Sequence, residues 1–107
     1  MTLKELYTYL LATNMPVAYH SFKSENKEVP PLPYIVFFAT SSNNFSADNK
    51  VYSKSTNCRI ELYTENKSIQ SEEILEAALD AASIFYDKTE SYIESEEMFQ
   101  IAYQINI

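Results

Sequence analysis

Residues 33–52 read Pro-Tyr-Ile-Val-Phe-Phe-Ala-Thr-Ser-Ser-Asn-Asn-Phe-Ser-Ala-Asp-Asn-Lys-Val-Tyr. From Tyr34 to Thr40 both alternating faces are apolar, which suits a central strand covered on each side by helices or by another subunit. Strand resumes at Val51 to Lys54, and between the two lies a polar loop built on Asn43-Asn44 and Asp48-Asn49. The 107-residue chain contains no glycine, so turns that need positive φ must lean on Asn and Asp. This loop concentrates them. Loops carried between strands of a rigid sheet are where binding residues gather, so Asn43, Asn44, Phe45, Asp48 and Lys50 are candidate contact residues. Phe45, the loop's one large apolar side chain, is the expected anchor.

Outward from this stretch the pattern is α+β. Thr2-Leu3-Lys4-Glu5 fits a capping box, and Leu3, Leu6, Tyr7, Leu10 and Leu11 follow at helical spacing. Asn14 and Pro16 close that helix. Val17 to Phe22 alternates as a short strand, and Pro30-Pro31-Leu32-Pro33 excludes a paired strand just before Tyr34. Between Cys58 and Tyr63, Cys58, Ile60 and Leu62 are expected to face inward, with Arg59, Glu61 and Tyr63 on a wet face. A second helix is predicted from about Ser71 to Phe85. On its wheel Ile74, Leu75, Ala78, Leu79, Ala82 and Phe85 share one face, and Glu72, Glu73, Glu76 and Asp80 the other. Two strands, roughly Thr89 to Ile93 and Met98 to Ile107, complete the order α-β-β-β-β-α-β-β. The expectation is a single domain over residues 1–107, an antiparallel sheet of about five to six strands flanked by two helices.

Composition narrows the chemistry. Fifteen aromatic residues, nine of them Tyr, argue for a folded domain. No apolar run approaches the roughly 20 residues of a membrane helix, and Met1 opens a helix where a signal peptide would be basic and then apolar; no membrane association or export by that route is expected. Without glycine, the P-loop and the dinucleotide fingerprint are both excluded, and no cofactor is expected. Cys58 has no partner for an internal disulfide, and with His20 alone it cannot build a zinc site. Cys58 is expected in the core and His20 in a structural role, since a triad needs a nucleophile and an orienting carboxylate beside it. Glu94, Glu96 and Glu97 lack calcium-loop spacing, so no catalytic or metal site is assigned.

Charge is unevenly distributed. The net charge is -7, but residues 1–59 hold six basic residues against four acids, whereas residues 60–107 hold two against eleven. Such asymmetry favours directional contacts between surfaces. Glu72, Glu76 and Asp80, spaced at i, i+4, repel one another by about 0.2 to 0.5 kcal/mol per pair, which a basic partner would relieve. They join the candidate interface residues, against the plainer reading that they are a solvated face.

The Pro-Tyr-Ile-Val strand, the Asn-Asn-Phe-Ser-Ala-Asp-Asn-Lys-Val-Tyr segment, the Arg-Ile-Glu-Leu-Tyr-Thr strand and the late Ser-Tyr-Ile-Glu-Ser-Glu turn, together with the leading Val-Ala-Tyr-His-Ser-Phe, have a counterpart. In that order, from about Leu3 to Tyr103, the chain resembles small tail-completion or head-to-tail joining (neck) proteins of long-tailed bacteriophages and prophages. The resemblance implies a structural virion protein assembled in the bacterial host cytoplasm, often a homohexameric ring, that ends the tail and docks it to the capsid connector. Its implied partners are other phage neck and tail proteins and copies of itself, with no sequence-specific nucleic acid binding. Acids facing a ring's lumen would let DNA slide past, and the same acids could equally meet a neighbouring ring. The competing class is a small acidic binding module such as a DNA-mimic inhibitor, whose carboxylates would come from the stretch between Glu61 and Glu97.

Overall fold

A computed structural model describes residues 1–42 and 55–107 in full, together with the backbone of residues 45–47 and 50–53. Helix α1 (Leu3–Leu11) begins at the capping box: the Glu5 amide donates to Thr2 Oγ1 and the Thr2 amide donates to Glu5 Oε1, each at 3.1 Å. Its stripe buries Leu6 and Leu10 completely. Strands β1 (Val17–Tyr19), β2 (Tyr34–Ser42), β5 (Thr56–Thr64), β6 (Tyr86–Ile93) and β7 (Met98–Asn106) form one sheet in the order β1-β2-β5-β7-β6. Only β1 with β2 is parallel. Helix α2 (Ile69–Ala81), capped by Ser68, crosses between β5 and β6. The fold is therefore α+β, as the periodicities predict.

Both helices lie on one face of the sheet. There Leu6, Leu10, Leu75 and Leu79 pack with Ile35, Phe37, Cys58, Ile60, Leu62, Ile101, Tyr103 and Ile105. Inward-facing Cys58, Ile60 and Leu62 match the expected register, and so do Ile101, Tyr103 and Ile105. On the opposite face a smaller cluster joins Ala18, Phe22 and Val36, flanked by Tyr34 and Tyr63. The connection after β1, with a 3-10 turn at Lys23–Glu25 and a cis Leu32-Pro33 bond, places Phe22 over the second face of β2 at Val36, but the expected cover does not run the length of the strand: Phe38 is half-buried and Ala39 to Ser42 are exposed.

Several boundaries differ from the sequence reading. The β1 strand stops at Tyr19 because His20 turns at φ 70°, and α2 stops at Ala81 because Ser83 enters the left-handed region at φ 57°. In the absence of glycine, left-handed turns among the described residues use Asn14, His20, Asn26, Ser83 and Glu97; Asn supplies two of these five. The expected polar loop is instead carried by a second hairpin, β3 (Phe45–Ala47) paired with β4 (Lys50–Ser53). That pair forms its own two-stranded sheet. The radius of gyration is 14.9 Å, against about 13 Å for a compact chain of this length.

Candidate assembly surfaces

The two groups of sequence-predicted interface residues have different outcomes. Asn43, Asn44 and Asp48 fall outside the described residues; Phe45 and Lys50 are placed by backbone alone, in β3 and β4. Of the acidic set, only Asp80, with Glu73, is exposed as expected. Glu72 is not on a solvated face: it is buried, and Glu76 is half-buried beside it. The correction comes from the helix phase. Glu72, Leu75, Glu76 and Leu79 recur at i, i+3, i+4 and i+7, the spacing of a single stripe, and this stripe faces the sheet. Ile74 is correspondingly exposed, and Phe85, beyond the helix end, is 91% exposed.

Beneath that stripe lies a charge cluster. Lys88 Nζ from β6 reaches Glu72 Oε1 at 2.6 Å and Glu76 Oε2 at 2.9 Å, and Lys67 Nζ reaches Glu72 Oε2 at 2.7 Å. Lys67 also pairs with Glu90. The hydroxyls of Tyr86 and Tyr103 donate to Glu76 at 3.0 and 2.9 Å. Burial pushes both carboxyls up, but the ammonium groups of Lys67 and Lys88, with the tyrosine donors at Glu76, outweigh it and hold both below the usual carboxylate range. Burial lowers Lys88, and its two carboxylates outweigh that to leave it at about 12. Burial and the Glu76 contact raise Tyr103. The basic partner expected for these acids is thus intramolecular: Lys67 and Lys88, the two basic residues of the acidic half, are consumed there. Their scarcity beside the Glu72/Leu75/Glu76/Leu79 spacing was the available signal.

The face expected to be wet is partly structured. Glu61, whose side chain is 12% exposed, accepts from Arg59 Nε at 2.7 Å, from the Tyr63 hydroxyl at 3.0 Å and from Gln100 Nε2 at 3.2 Å. Burial, more than the neighbouring Glu61 charge, raises Tyr63 to about 12. Next to this network opens a groove of about 590 Å³ lined by Phe22, Tyr34, Val36, Tyr63, Ile93 and Met98, with His20, Lys23 and Glu96 at its exposed margins. Phe22 meets Tyr34 edge-on with ring centroids 5.3 Å apart, and Tyr34 meets Tyr63 at 5.3 Å. No reading of the sequence brought these residues together, because they come from four strands and two turns.

Among the described residues no three His, Cys, Asp or Glu side chains converge as a metal site, and no helix is long and apolar enough to cross a membrane. Cys58 is buried, and burial raises its thiol pKa. The His20 ring lies 5.8 Å from that of Phe38. No family model matches the chain, and no curated protein matches it significantly.

Proposed function

We propose that this chain is an assembly subunit of a phage or prophage virion neck, which completes the tail and joins it to the capsid connector as a ring oligomer. The observation that carries this reading is the β3–β4 hairpin. An isolated two-stranded hairpin is marginal in water, and the backbone of this one forms a sheet separate from the five-stranded one. A second chain that pairs with or packs against such a hairpin would stabilise it. The aromatic groove on the opposite sheet face gives the subunit another surface suited to a protein contact, and a ring needs two different patches on each copy. The DNA-mimic alternative is weakened by Glu72 and Glu76, because both carboxylates are committed to Lys67 and Lys88. Electron microscopy of virions labelled with antibody to this protein tests the reading: label at the head–tail junction is expected, and label confined to unassembled protein would overturn it.

A further inference from the structure

Phe85 is 91% exposed, an uncommon state for an aromatic residue held between a helix end and a strand. It follows buried Ile84 and precedes Tyr86, the first residue of β6, so its position is fixed from both sides. The aromatic groove lies at the other end of the same strands. Its members Ile93 and Met98 are paired at the far end of β6 and β7, whereas Tyr86 pairs with Ile105 at the near end. At about 3.4 Å per residue the seven-residue rise along β6 separates the two features by about 24 Å. Phe85 therefore cannot reach the groove of its own chain.

Charge gives the pairing a direction. Phe85 is flanked by Asp80 and Asp87, both exposed. The groove carries Lys23 on the β1 side and Glu96 on the β6 side, at opposite edges of the sheet. None of the ion pairs among the described residues involves Lys23. An aromatic knob flanked by carboxylates would therefore seat toward Lys23 and away from Glu96.

We propose that Phe85 of one copy inserts into the Phe22–Tyr34–Tyr63 groove of a second copy, with Asp87 of the first facing Lys23 of the second. Knob and groove sit on different surfaces, so the contact is heterologous and propagates head to tail, closing into a ring if the rotation per step permits. The inference deepens the ring reading above and rests on it for its biological setting. Rings of aromatic side chains in a desolvated groove are the kind of contact that dominates interface energetics.

Sedimentation velocity over a concentration series tests the contact with the wild-type chain and the variants Phe85→Ala, Lys23→Glu, Asp87→Lys and Lys23→Glu/Asp87→Lys. Wild type is expected to associate beyond a dimer. Phe85→Ala should weaken association about 30-fold, equivalent to about 2 kcal/mol at 1.4 kcal/mol per tenfold, with an unchanged melting temperature. Each single charge reversal should weaken association and the double reversal should restore it, which only a contact between copies of this chain explains. Wild-type association in Phe85→Ala, no rescue in the double variant, or a wild-type monomer at all concentrations would overturn the contact. The neck reading stands or falls separately, on whether the wild-type protein joins heads to tails.

Discussion

Replacing Lys88 by Met removes the ammonium that bridges Glu72 and Glu76, and its cost can be bracketed from the surroundings. Stripping one partner from a fully buried ion pair costs about 3–5 kcal/mol, while an exposed pair is worth about 0.2–1 kcal/mol. Here the Glu72 side chain is 4% exposed, but Lys88 is 35% exposed and Glu76 22%, and Glu72 keeps Lys67. A loss of about 2 kcal/mol lies between these limits, equivalent to about 8–12 °C in melting temperature for a domain of this size. The pH dependence gives an independent signature. Both carboxyls lie below their usual range in the folded state, so their contribution is present above the unfolded carboxylate pKa and is lost as pH falls through the folded value. The deficit of Lys88→Met should accordingly be full at pH 7 and shrink toward pH 3. Adding Glu72→Leu should recover most of it, since an apolar replacement of a buried pair is close to neutral. Urea denaturation at both pH values measures all three quantities. A variant within 0.5 kcal/mol of wild type at pH 7, or an equal deficit at pH 3 and pH 7, would refute this account of the cluster.

Changing Glu72, Glu76 and Asp80 together to Gln, which repulsion along the helix alone predicts to be harmless or stabilising, should instead destabilise by about 2 kcal/mol by removing both carboxylate charges paired with Lys88 and one of the two paired with Lys67; Asp80→Gln alone should be neutral, as thermal melts would show. Ile60→Asp should unfold the domain, because Ile60 is fully buried and the charge has no partner. Glu61→Lys should cost about 2 kcal/mol, contrary to a wet-face reading, because it sets two cations side by side, leaves the Tyr63 hydroxyl without its acceptor and removes one of the two acceptors of Gln100 Nε2; circular-dichroism melts separate that partial loss from unfolding. Ser83→Gly and Glu97→Gly should each stabilise by about 0.5–1 kcal/mol, since both residues occupy left-handed turns, at φ 57° and 50°, where a Cβ is unfavourable. Chemical denaturation checks each.

Local signals carried most of the fold. The capping box at Thr2 and Glu5, the alternation through Cys58, Ile60 and Leu62, and the apolar first half of β2 are all short-range patterns whose meaning survives in the structure, whereas Ala39 and Thr40 are exposed. Helix phase was harder, because Glu72 interrupts its stripe with a charge that hydrophobic patterning assigns to solvent. Only the arrival of Lys67 and Lys88 from outside the helix makes its burial tolerable. Left-handed turns at Ser83 and Glu97 were illegible for a related reason: neither residue type favours that conformation, so neither announces it. The aromatic groove depends on the strand order β1-β2-β5-β7-β6, a long-range outcome that no window of sequence contains.

Purified DNA-filled heads and completed tails from a phage lacking this gene product, mixed with the wild-type protein, test the central claim most directly. Neck function predicts that infectious particles appear only when the protein is added, in proportion to its amount until the junctions are filled. Equal joining with and without the protein would contradict it.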